Sequence, residues 1–177
     1  MVPARTMLAT VALAIAATLA PRTSGAQSLR TTAPVPFDNI VSVNPVLLVF
    51  SGIVSADYER RIALGTTLGA SLSSFSLSDA NYLTVEGRAR YYIEGRALEG
   101  FSVGGVLGYV RLRDDSTRAT SNALNIGFTG ERQWLLGVDE RLALTAGLGA
   151  TRIFLAEDRP PFRKVLPVLR LSVGWGF

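Results

Sequence analysis

Side-chain chemistry most often begins with His, with Cys, or with carboxylates held close together. This chain of 177 residues contains no His and no Cys. The commonest general base and the commonest metal ligand are therefore missing. Disulfides and thiolate metal sites are missing as well. Carboxylates and arginines are what remain. Two adjacent acidic pairs, Asp114-Asp115 and Glu157-Asp158, lie beside Arg113 and Arg159 in polar stretches. A catalytic dyad needs burial or a close partner to shift its pKa, and these pairs read as solvated loop surface. Neither is set among the spaced oxygen ligands of a calcium loop. The glycine-rich stretches GVLGY and GLGA lie inside alternating segments and do not read as phosphate cradles. The expectation is no enzyme, no metal and no cofactor.

A second set of charges follows a period of two. In YLTVEGRARYYI, residues 82–93, Tyr82, Thr84, Glu86, Arg88, Arg90 and Tyr92 share one face. Leu83, Val85, Gly87, Ala89, Tyr91 and Ile93 share the other, a sorting that belongs to a strand and not to a helix. The same parity puts Asp57, Glu59, Glu131 and Arg170 on the polar faces of their own segments. Four acids thus face three bases. They could neutralise one another as a buried network, or they could line a narrow pore or a proton path.

Strands must position these residues, and alternation predicts them at 62–75, 82–93, 100–112, 120–135, 141–153 and 164–177. The face of residues 100–112 that carries Ser102, Gly104 and Gly108 also carries Val106 and Val110. Short connections near Arg60-Arg61, Glu94–Glu99 and Gly137–Glu140 alternate with longer polar ones at Leu77–Asn81, Arg113–Ala119 and Ala156–Arg163. Two further strands, 41–49 and 53–60, with Ser51-Gly52 as a tight turn, bring the count to an even eight. A transmembrane helix over residues 40–56 is the competing reading, but Asn44-Pro45 and Ser51-Gly52 interrupt that run.

The non-apolar face holds Gly, Ser, Thr and few long charged side chains, and Lys164 is the only lysine. Charged residues make up 18%, below the roughly 25% of soluble domains. A soluble β-sandwich, or a periplasmic lipid-binding module, would normally carry more charge on its wet faces. A membrane barrel inverts the polarity, with lipid outside and polar side chains inside. The expected fold is therefore all-β: an eight-stranded antiparallel up-and-down transmembrane β-barrel. Eight strands leave an interior just wide enough for side chains, and a charge there is costly unless paired. A filled polar core is the expectation and a narrow conductance the alternative.

The first residues support export. Arg5 precedes the apolar run 7–20, and small residues Ser24 and Ala26 follow, the pattern of a cleavable signal peptide over 1–26. Residues 27–39 then read as a periplasmic N-terminal tail and 40–177 as the barrel. Loss of 1–26 removes Arg5 and Arg22, lowering the net charge from +4 to +2. The arginines form no stripe, so no nucleic-acid partner is expected. The last residues, RLSVGWGF, alternate Leu171, Val173, Trp175 and Phe177 with Arg170, Ser172, Gly174 and Gly176. Trp175 and Phe177, with Tyr58, Tyr91 and Trp134, are expected in an aromatic girdle at the periplasmic interface of a bacterial outer membrane. Outer-membrane lipid is then the surrounding partner. Basic residues Arg113, Arg118, Arg159, Arg163 and Lys164 near the outer rim read as ordinary charge at a membrane interface, with bridging of lipopolysaccharide phosphates as the alternative.

The signal segment, the alternating strands and the terminal Trp175-Gly176-Phe177 resemble small bacterial outer-membrane β-barrel proteins. VNPVLLVFSGIVSADYERRIALG and VEGRARYYIEGRALEGFSVGGVLGY are similar to a family of such barrels with no assigned function, through Tyr58-Glu59 and Arg90-Tyr91-Tyr92 over roughly residues 40–177. The resemblance implies fold, location and recognition of the C-terminal strand by the barrel-assembly machinery. It implies no chemistry, and leaves a structural or surface-interaction role.

Overall fold

Alternating sequence becomes alternating burial along nearly every strand. In a computed structural model that describes residues 35–77, 80–114, 120–155 and 165–177, the chain runs β1 (Asn39–Val43), α1 (Pro45–Ser51), β2 (Val54–Ala63), β3 (Thr66–Leu77), β4 (Ala80–Tyr92), β5 (Gly100–Asp114), β6 (Thr120–Leu136), β7 (Leu142–Leu155) and β8 (Val165–Gly176). Each strand pairs antiparallel with the next, and β1 pairs with β8, closing an eight-stranded up-and-down barrel. Closure replaces the two-sheet sandwich by a single sheet without end strands. The end of the barrel where β1 starts and β8 finishes is termed the base, and the opposite end the top.

The barrel is polar inside and apolar outside. Glu59, Thr67, Arg90, Asn125, Glu131, Gln133, Thr145, Arg170 and Ser172 are buried, whereas Leu72, Val85, Leu107, Ile126, Phe128 and Leu148 are exposed. Seven of the eight expected strands stand within a few residues of their sequence-based limits.

The first strand and the connection after it differ. Instead of a strand over 41–49, β1 stops at Val43 and residues 45–51 form a single short helix. The residues taken as strand breakers are its end signals. The Asn44 side chain accepts a hydrogen bond from Leu47 N at 3.0 Å, and Pro45 occupies the first turn, where no backbone donor is needed. Gly52 closes the helix with a φ of 65°, and its N–H and that of Ile53 reach back to Leu48 O and Leu47 O. No helix among the described residues is long and apolar enough to cross a membrane.

The turn expected at Arg60-Arg61 lies at Leu64-Gly65 instead. Arg61 is held in β2 because its side chain points inward, pairing with Asp38 and donating to Val35 O at 3.0 Å. The segment before β1 also departs from a free tail: Val35 and Phe37 are buried and pack with Ile40, Leu98 and Ala143 as an apolar plug in the base. The expected signal peptide 1–26 lies outside the described residues, as do most of the three longer loops with their acidic pairs and most of their basic residues.

Candidate functional site

All seven charged residues assigned inward by parity meet in one network. The register brings them together: β2 sets Glu59 opposite Gly69 and Ile40, β4 sets Arg90 opposite Gly104, and β6 sets Glu131 opposite Ser102 and Gly147. Small residues on neighbouring strands leave room for long side chains to cross the lumen.

Arg90 is the hub. Its Nη2 pairs with Glu59 Oε2, and its Nη1 lies 3.0 Å from Glu131 Oε2. Arg170 Nη2 reaches Asp57 Oδ1 at 3.0 Å, and its Nε faces Glu131 Oε2 at 3.6 Å. Arg88 links the same Asp57 oxygen, at 3.5 Å, to Glu86 Oε2, at 3.6 Å. The charges alternate in sign along the chain Glu59, Arg90, Glu131, Arg170, Asp57, Arg88, Glu86.

Both ends of that chain are carboxylates, and neutral donors complete them. Thr67 Oγ1 donates to Glu59 Oε1 at 2.5 Å, and Tyr92 Oη donates to the same oxygen at 3.1 Å. Asn125 Nδ2 donates to Glu86 Oε1 at 2.6 Å, and Ser71 Oγ to Glu86 Oε2 at 3.3 Å. A buried charge stays tolerable when it is both paired and hydrogen-bonded.

Sequence reasoning placed Tyr92 on a polar face but gave it no role, and Gln133 shares the parity of Glu131 on its strand. Gln133 ties the network to the base plug. Its Nε2 donates to Leu98 O at 2.7 Å, while its Oε1 accepts from Thr145 Oγ1 at 3.1 Å. Leu98 is fully buried with a φ of 74°, a conformation costly for a bulky side chain. Burial of its side chain and the bond to Gln133 hold it there. Parity was the available signal for Gln133; nothing in local sequence marked Leu98.

Above the network apolar side chains join small polar ones in the lumen. Phe75 and Tyr82 stack with centroids 4.3 Å apart. Val106 and Val110, the exceptions on the polar face of β5, point into this upper region along with Val168. A cavity of about 220 Å³ is lined by Phe75, Val106 and Val168, by Leu47 of α1, and by polar residues such as Ser71, Ser73 and Thr129.

The five aromatic residues assigned to a girdle all point outward toward the base-side half of the wall. Tyr58 pairs in register with Val41, Val41 with Trp175, and Trp175 with Leu142, forming one row across four strands. Tyr58 Oη donates to Asn39 Oδ1 at 2.7 Å. Tyr91 and Phe177 are exposed, and Trp134 lies under the Arg132 guanidinium at 5.6 Å. Phe177 N donates to Asn39 O at 2.9 Å and Asn39 N to Phe177 O at 3.1 Å, so the last residue takes part in the closing seam.

The seven charges are thus ion-paired with one another, and neutral donors stand at both ends of the chain. Among the described residues no group of His, Cys, Asp and Glu has a metal-holding arrangement. Comparison with protein-family models, curated proteins and solved structures finds no match for this chain.

Proposed function

We propose that the chain is a non-enzymatic bacterial outer-membrane β-barrel, exported by a signal peptide cleaved near Ala26, with a structural or surface-interaction role. One observation carries the reading: the polarity of the barrel is inverted. Leu72, Val85, Leu107, Phe128 and Leu148 lie exposed on the outer wall, while Glu59, Arg90, Glu131 and Arg170 are buried within. In water that wall would be a contiguous apolar patch far larger than soluble monomers carry. In lipid it is the matching surface, and the sheet closes on itself through the seam of β1 with β8, from Ile40 opposite Gly176 to Val43 opposite Val173.

On this reading the outward aromatic row of Tyr58 and Trp175, with Tyr91, Trp134 and Phe177, marks the periplasmic interface. The terminal strand is the part that the barrel-assembly machinery would engage, and basic rim residues would meet lipopolysaccharide. The network fills the lumen at mid-height, which favours a closed core over a conducting path.

The test is fractionation followed by gel migration. The protein is expected in the outer-membrane fraction, lacking residues 1–26, and its detergent-extracted form is expected to migrate differently before and after boiling. A water-soluble protein with one migration position would overturn the membrane assignment.

A further inference from the structure

Every charged side chain described on the outer face of a strand is an arginine. Arg60, Arg111, Arg113, Arg132 and Arg152 are exposed on the wall, whereas Asp57, Glu59, Glu86 and Glu131 are paired in the lumen. Among the described residues none of the five arginines has a carboxylate partner. A guanidinium is costly in the lipid core and tolerated where headgroups begin, and these five keep to the ends of the wall. Arg60 and Arg132 lie toward the base. Arg111 and Arg113 lie near the top end of β5 and Arg152 near the top end of β7, with Leu107, Ile126 and Leu148 exposed below them. The top three are gathered on one side of the barrel. Leu83 flanks Arg111 on β4, and Val165 flanks Arg152 on β8; farther round the top, Val54 and Ser74 hold outward positions.

We propose that the outer wall of β5, β6 and β7 near the top is a docking site for a glycolipid whose headgroup carries two phosphates. The proposal rests on the outer-membrane reading and names one lipid that this wall selects. The anion follows from charge complementarity: guanidinium groups without carboxylate partners present a fork that phosphate oxygens match. The stretches 114–119 and 156–164 that leave these strands carry acids and bases in equal number, so they do not cancel the excess. Two phosphates follow from the spacing. Arg111 with Arg113 on β5 and Arg152 on β7 are separated by β6, so the two poles stand on strands roughly 10 Å apart. The Arg152 guanidinium lies 5.0 Å from the Phe154 ring centroid, which holds it along β7 and not across β6.

The ground between the poles is polar. Asn122 on β6 stands opposite Arg111 in register, and its Oδ1 accepts from Tyr109 Oη at 2.6 Å. That bond fixes the amide and leaves Nδ2 as an outward donor, suited to the hydroxyl and ring oxygens of a sugar that joins two phosphates. Below the poles the exposed Leu107, Ile126 and Leu148 give the acyl chains an apolar track along the wall. Headgroup and chains thus meet matching surfaces in the order in which a lipid of the outer leaflet presents them. At the base, by contrast, Arg132 lies over Trp134 among the girdle aromatics, with no second arginine pole beside it on β5 or β7.

The test uses the full chain in neutral detergent, titrated with diphosphoryl lipid A and followed by native mass spectrometry. Monophosphoryl lipid A and phosphatidylglycerol serve as probes with one phosphate, the first on the same sugar and the second on glycerol. The diphosphorylated probe is expected to bind at least about tenfold more tightly than either, the gain from one further charge-assisted contact. Arg111→Gln and Arg152→Gln are outward substitutions that leave the lumen untouched. Each is expected to lower affinity for the diphosphorylated probe about tenfold, while Arg132→Gln at the base leaves it unchanged. Circular dichroism checks that all three variants are folded. Phosphatidylglycerol binding as tightly as the diphosphorylated probe would reduce the patch to ordinary interfacial charge and overturn the site. Equal binding of the two glycolipids would overturn the two-pole geometry, and an equal loss in Arg132→Gln would overturn its location. An outer-membrane protein that shows no preference among the three lipids removes this site and leaves the membrane assignment standing, whereas a water-soluble protein in the fractionation test removes both.

Discussion

At the scale of single residues, Arg90 and Glu86 occupy opposite positions in one network and should respond differently to truncation. Arg90 is 5% exposed and bridges two carboxylates, whereas the Glu86 side chain is 22% exposed and ends the chain of charges. Arg90→Ala leaves Glu59 and Glu131 without their shared partner and is expected to cost about 3–5 kcal/mol. Glu86→Ala removes a partner from Arg88, which retains Asp57, and is expected to cost distinctly less. Urea unfolding of the two variants in micelles measures both, and equal losses would show that burial depth does not grade the network. Gly147 is the matching constraint on packing. A Cβ there would stand 2.5 Å from Glu131 Cγ and 2.9 Å from its Cβ. Gly147→Ala should therefore overpack the lumen and cost about 1–3 kcal/mol in the same assay. The inward assignment of Asp57, Glu59, Glu86, Arg88, Arg90, Glu131 and Arg170 was legible because parity needs only one strand at a time. Their pairing was not, because Arg90 meets Glu59 and Glu131 across β2, β4 and β6, through registers that no single segment encodes.

At the scale of elements, α1 shows where local reading fails. Asn44-Pro45 and Ser51-Gly52 interrupt a long helix and a long strand equally well. The same residues are also the start and stop of a short helix. What decides between a break and a cap is whether Val43 continues to find partners on β8, and that is a property of the closed sheet. Beyond Val43 it finds none, and the chain turns inward under Asn44, which is 6% exposed. Asn44→Ala removes the oxygen that accepts from Leu47 N and is expected to cost about 1 kcal/mol. The loss should appear as faster amide exchange confined to residues 45–52, with β3 to β7 unchanged; uniform acceleration across the barrel would instead make α1 part of the folding core. The plug gave little warning for a related reason. Val35 and Phe37 alternate with Pro36 and Asp38, but two apolar residues beside prolines carry no element signal, and their burial depends on the base being open to receive them.

At the scale of the whole molecule, two layers stand across the lumen, and both bear on the proposed closed barrel. The base holds the apolar plug of Val35, Phe37, Ile40 and Leu98. The network above it crosses from β2 to β4, β6 and β8. An ion moving along the axis must pass an apolar constriction, which resists wetting, and then a set of charges already compensated by one another. Either layer suffices to block passage, so the wild-type protein in a planar bilayer is expected to show no stepwise conductance. Phe37→Ala thins the plug and leaves the network, and Arg90→Ala does the reverse; each alone is expected to stay silent. The double variant loses material from both layers and is expected to give brief openings. Those openings should favour cations, because removal of Arg90 leaves Glu59 and Glu131 as the charges facing the gap. Steady conductance from the wild type would show that the lumen is a path, and the side chains of the network would then line it instead of closing it.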